Sequence, residues 1–229
     1  MDTPYWRKAP ARAREILRHH GVKSLWFRAL DKAGYRRVIL FERLLDEPIP
    51  EMVSAIPVTT SLLKTDEIAE YLPLRPGQTA QETLERLKKG HKCFVLRSSN
   101  VIAHACWAGI GTARMEYLDC EVRLADTTGY LYGSFTAGQF RKLNLATVAY
   151  LEMARHFRDL GFRRLVAVVV PHNRAALGPV RKAGYHRLGV IRSVKIGSWR
   201  SHQFPAAGNE ALQLLKKPHG PDLPSRNLA

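Results

Sequence analysis

The most constraining stretch of this sequence is a helix pattern followed at once by a strand pattern. Leu145, Val148, Ala149, Met153, Phe157 and Leu160 recur at helical spacing, and Gly161 stands at the C-terminal stop. Arg164 to Val170 (RLVAVVV) is then a continuous apolar run. A strand without polar alternation is buried on both faces, which places it inside a sheet covered by other elements. Upstream, KCFVLRS and VIAHACWAGI flank Ser98, Ser99 and Asn100 and read as a hairpin. Strands are expected over Arg37–Leu45, Cys120–Leu124 and Gly129–Thr136, and helices near 66–71 and 77–89, the latter opened by a Thr79/Glu82 capping box. A short helix follows over Asn173–Ala183, then a last hairpin arm over Tyr185–Ile196. The fold class is α/β.

The 229 residues are 45% hydrophobic and 24% charged, enough apolar material for a sizeable core. No apolar run approaches the roughly 18 residues of a membrane span, and the basic N-terminus has no apolar core of a secretory signal. Three cysteines without a CxxC spacing suggest reduced thiols in the cytoplasm, and no zinc pattern is present, so no metal is expected.

The formal charge of +16 is uneven. Residues 1–43 hold eleven Lys/Arg against four Asp/Glu, residues 44–140 nine against twelve, and residues 141–229 sixteen against four. Both ends would attract anions: a phosphorylated cofactor, lipid headgroups or nucleic acid. Residues 8–34 read as two basic amphipathic helices carrying Trp26 and Phe27. The tail after Pro205 contains one helical piece, NEALQLLKK.

Between the Gly129–Thr136 strand and the long helix lies Arg141-Lys142-Leu143-Asn144-Leu145-Ala146. A loop that feeds a helix N-terminus presents backbone N–H groups and the positive end of the helix dipole to an anion. The hexapeptide resembles the pyrophosphate loop of the GNAT superfamily, Q/R-x-x-G-x-G/A, with Asn144 in place of the first glycine. Asn tolerates a left-handed conformation and can cap a helix. After the helix and the apolar strand, Asn173-Arg174-Ala175-Ala176 and Lys182-Ala183-Gly184-Tyr185 are similar to the family's N-x-x-A…K-x-G-[FY] segment. The resemblance extends loosely back to residue 58. It divides the chain into a basic helical N-terminal extension with a linking strand (1–57), a GNAT domain with a mixed, bent sheet and helices on both faces (58–205), and a partly helical tail (206–229).

The resemblance implies transfer of an acyl group, most simply acetyl, from acyl-CoA to a primary amine by direct attack. The backbone N–H of Thr136, together with that of Phe135, would face the thioester oxygen. N–H groups from Lys142, Leu143, Asn144, Leu145 and Ala146 would hold the pyrophosphate, with charge from Arg141 and Lys142. Asn173 would bond the pantetheine arm. The tyrosine that many members use to protonate the thiolate is replaced here by Val180. Alternation along the strand puts Tyr130, Tyr132 and Ser134 on one face, and Tyr132 and Glu116 are the leading candidates for the base. His104, flanked by alanines, reads as a sheet histidine. The amine acceptor stays open. One alternative is long-chain N-acylation of a lipid or glycan amine by a peripheral protein at an anionic membrane surface, and another is a non-catalytic basic binding module. A homodimer is allowed for. No nucleic-acid-binding motif is present, so nucleic acid is not expected as a partner.

Overall fold

The computed structural model describes residues 34–208 and 210–215; the basic helices expected over 8–34 lie outside them except for Gly34. The main sheet has eight strands in the order β10-β9-β1-β8-β7-β4-β3-β2. These are β1 (Tyr35–Leu44), β2 (Thr59–Leu62), β3 (Lys92–Ser98), β4 (Val101–Gly109), β7 (Thr128–Thr136), β8 (Arg164–Val169), β9 (His186–Ile196) and β10 (Trp199–Gln203). A second sheet pairs β5 (Thr112–Met115), β6 (Cys120–Leu124) and β11 (Leu212–Leu215).

Two helices cover one face of the main sheet: α3 (Leu145–Asp159) and α4 (Arg174–Lys182). Leu151, Met153, Ala154 and Phe157 of α3 pack there on Phe94, Cys106, Leu131 and Leu165. The other face is covered in two parts. Near β3 and β4 lie α1 (Ile68–Tyr71) and α2 (Ala80–Lys88), where Tyr71, Leu74 and Leu87 meet Val95 and Trp107. The small sheet covers the rest, with Met115, Val122 and Leu212 on Val38, Leu40 and Val166. The α/β sandwich with helices on both faces is thus present, and the capping box at α2 forms as its sequence implies: Thr79 Oγ1 accepts from Glu82 N–H and Glu82 from Thr79 N–H.

Three features differ from the expectations. The strand grouped with the N-terminal extension lies inside the sheet, where β1 pairs antiparallel with both β8 and β9. Arg43, buried on β1, donates to the carbonyls of Ala183 and Pro48 and so ties this strand to the end of α4. Gly184 permits that bond: at φ +78, a Cβ there would fall on Arg43 Nη1. Secondly, the helical piece expected after Pro205 is, over Leu212–Leu215, a strand on the open edge of β6. The backbone groups of that edge outweigh the helix preference of Leu and Gln. Thirdly, β7 does not alternate throughout, and this shapes the site.

Candidate active site

β7 and β8 form a parallel pair only from Thr128 to Leu131, opposite Arg164 to Ala167. Beyond Leu131, β7 stays bonded to β4 as far as Thr136 and leaves β8. A gap opens where the two strands end, the usual ligand position in sheets with parallel strands. The departure coincides with a bulge: Tyr132 opposes Trp107 and Phe135 opposes Ala105, so Gly133 and Ser134 together face Cys106. Gly133 has φ +59, which a side chain would resist.

The bulge reverses the facing of everything after it. Tyr130 and Tyr132 share the face of the small sheet, whereas Ser134 lies on the α3 side against Cys106 and Tyr150. The expectation that Ser134 shares a face with Tyr132 is therefore corrected. Thr136 also faces α3, its Oγ1 2.8 Å from Nδ1 of the buried His104.

The ladder fixes the N–H directions as well. Ala137 N–H donates to the Ala103 carbonyl at 3.0 Å. In an antiparallel pair such bonds fall on every second residue, so Phe135 N–H turns to β4 and Thr136 N–H turns away from it, into the gap. Of the two residues expected to face a thioester oxygen, only Thr136 presents its N–H there.

A cleft of about 730 Å³ runs from this gap over the start of α3. It brings together Phe135, Thr136, Arg141, Lys142, Asn144, Leu145, Ala146 and Asn173; Leu143 lies between two of them and packs against the Leu145 cluster. Lys142 and Asn144 are left-handed, at φ 66 and 60. The Asn in the glycine position thus adopts the conformation that glycine would supply. Its side chain does not cap α3 but accepts from Lys182 Nζ at 3.3 Å. The first helix bond of α3 is Val148 N–H to the Asn144 carbonyl, which leaves the N–H groups of Leu145, Ala146 and Thr147 at the helix end for an anion. Thr147 Oγ1, buried and lining the same cleft, has no partner among the described residues. Asn173 caps α4, accepting from Ala176 N–H at 3.3 Å. Its amide nitrogen has no such task. Val180 is buried in the core at 2% exposure.

A second cleft, of about 440 Å³, lies on the opposite face of the same strand. It contains Tyr132 and Glu116, with Glu82, Glu85, Arg86 and Glu121 on its walls. Glu116 is at the rim, paired with Arg86 at 3.1 Å. Tyr132 is deeper, stacked on Tyr130 and Trp107 with the Arg86 guanidinium 5.6 Å from its ring centre. Its hydroxyl lies 2.6 Å from Nδ1 of His91. Sequence reasoning missed His91 and Tyr150. A lone histidine after Gly90 reads as a turn residue, and Tyr150 is one apolar position among many on α3. Among the described residues no three His, Cys, Asp or Glu side chains converge as a metal site would require.

The Acetyltransferase (GNAT) family profile matches residues 60–185, which contain both clefts' walls on β7, the loop and α3. No curated protein matches the chain. An acetyltransferase of the GNAT family from Colwellia psychrerythraea is similar at 13% identity and TM-score 0.53, over 70% of this chain and 56% of that one. A GCN5-related N-acetyltransferase from Sphaerobacter thermophilus is similar at 18% identity and TM-score 0.51, over 71% of this chain and 53% of that one. The chain thus spans little more than half the length of these two, and at such identity the likeness is one of fold. The family match covers more than half of the 229 residues and includes the loop, the diverging strands and the helix that build the cleft, so this chain belongs to the GNAT acetyltransferase family.

Proposed function

We propose that this protein is an acyl-CoA-dependent N-acyltransferase that moves an acetyl group to a primary amine. The observation that carries this reading is the Thr136 N–H, turned into a gap that no described strand fills and that leads to a helix N-terminus whose first donors have no partner among the described residues. The pyrophosphate would lie on the N–H groups from Lys142 to Thr147, with charge from Arg141, Lys142 and Lys182. The pantetheine arm would follow the open side of β7, within reach of the Asn173 amide. Its thioester oxygen would accept from Thr136 N–H, a donor already in place for the negative charge that develops there.

The amine would come from the second cleft. Tyr132 and Thr136 are four residues apart on β7 but, across the bulge, oppose Trp107 and His104, about 10 Å of strand apart, and their side chains are on opposite faces. β7 is the wall between donor and acceptor, and attack would occur at its open edge. With Val180 in the usual position of the acid, Ser134 and Tyr150, which line the cleft, would be the hydroxyls beside the leaving sulfur. Burial raises the Tyr150 phenol well above its ordinary value. It would therefore stabilise the thiolate by a hydrogen bond and leave the final proton to water.

Calorimetric titration with acetyl-CoA and a long-chain acyl-CoA tests the reading. Micromolar acetyl-CoA binding that survives moderate salt supports it. A marked preference for the long chain would move the donor assignment to lipid N-acylation, and absence of binding by either would leave a non-catalytic basic module.

A further inference from the structure

His91 and Tyr132 come from distant parts of the chain and meet at the floor of the second cleft, with Nδ1 2.6 Å from the phenol oxygen. His91 follows Gly90 at the end of α2 and is 9% exposed. Its ring packs on Gly109 of β4, where a Cβ would stand 3.3 Å from Cε1. With its proton on Nε2, the neutral ring offers a lone pair at Nδ1, and the Tyr132 hydroxyl donates to it. One face of the phenol oxygen remains for the cleft.

We propose that Tyr132 and His91 form a proton relay for the attacking amine. This rests on the acyltransferase reading above. As the amine nitrogen bonds to the thioester carbon it becomes cationic. Tyr132 Oη takes its proton through water in the cleft while the phenol's own proton passes to His91 Nδ1. The nitrogen ends neutral, the C–S bond breaks to release the CoA thiolate, Tyr132 is again a phenol, and the imidazolium later gives its proton to water. The groups that face His91 are Arg86 and Lys89 from the α2 segment, Tyr132 from β7, and only backbone from β4 and β5. Burial, reinforced by those two cations, lowers its pKa from the ordinary value. His91 acts through Tyr132 and is a positioning residue.

Nitrogen NMR of the histidine-labelled full chain tests the relay without any acceptor. Nδ1 of His91, assigned with His91→Gln, is expected to be unprotonated at pH 7.5. A protonated Nδ1 would overturn the proposal, since the proton could then flow only the wrong way. Acetyl-CoA turnover is next followed with glycinamide and butylamine as primary amines; turnover of neither overturns the proposal. Tyr132→Phe should lower kcat about 100-fold, and His91→Gln should remove the acid limb of the pH profile below 6.5. An unmoved limb assigns His91 a merely structural role. Acetyl-CoA affinity, measured separately, should be the same in all three proteins; its absence from the wild type would overturn the acyltransferase reading and, with it, the relay, whereas a protonated Nδ1 in a protein that binds acetyl-CoA overturns the relay alone.

Discussion

His104 on β4 holds Thr136 on β7 through a 2.8 Å bond between Nδ1 and Oγ1, across a pair of residues that share no backbone hydrogen bond. The side chain is thus anchored on the helix side while the N–H looks along the sheet into the gap.

If that N–H is the oxyanion donor, Thr136→Pro should remove it without breaking the ladder, because proline is tolerated where a strand's N–H faces away from its partner. CoA release with glycinamide should fall about 100- to 1,000-fold, while melting changes little. Phe135→Pro, by contrast, cuts a bond to Ala105 and should destabilise the fold clearly. Equal behaviour of the two variants would mean that the N–H directions have been misassigned.

The same histidine should leave a mark on acid stability. Burial pushes His104 down to about 4, against about 6.5 when unfolded. The unfolded chain therefore takes a proton that the folded one refuses. This contribution is fully present above pH 6.5 and is lost as pH falls toward 4, up to ~3 kcal/mol. Denaturant melts at pH 7.5 and 4.5 should show the wild type losing more stability than His104→Asn. Parallel losses would place the acid sensitivity elsewhere.

Asn144 at φ 60 can be tested by backbone preference alone. Asn144→Gly should keep both stability and acetyl-CoA affinity, whereas Asn144→Val should cost about 1–2 kcal/mol and weaken binding. Reversing charge with Arg141→Glu and Lys142→Glu together should weaken CoA binding and flatten its salt dependence. Affinity unaffected by any of these changes would detach the loop from the cofactor.

For the leaving group, Tyr150→Phe should slow turnover about 10- to 100-fold, the value of a hydrogen bond to a charged sulfur, and leave acetyl-CoA affinity in place. Ser134→Ala should have a smaller effect. A Tyr150→Phe protein of wild-type rate would show that the thiolate departs unassisted.

What could be read directly was local. The spacing of Leu145 to Leu160, the apolar strand after it and the Asn in place of glycine each report on a few neighbouring residues, and each took the expected form. The bulge at Gly133 was not legible, because one unpaired residue changes the facing of Ser134 without changing the β-like pattern around it. His91 lay beyond reach for a different reason. Its meaning depends on Tyr132, 41 positions away, and pairing at that distance leaves no periodicity. The same holds for β11, whose helix-forming residues are overruled by the edge of β6.

The place of β1 has a consequence for how the molecule is made. It is synthesised before every other described strand, yet both its neighbours lie beyond Arg164. On the ribosome, β2, β3, β4 and β7 can associate early through nearby partners, while β1 must wait until β8 and then β9 have emerged. The first strand out is therefore among the last to be paired, and the sheet closes only after β8 and β9 have emerged. Until then the apolar edge of β8 is open, which makes the interval before β1 docks the one in which this chain is most exposed to aggregation.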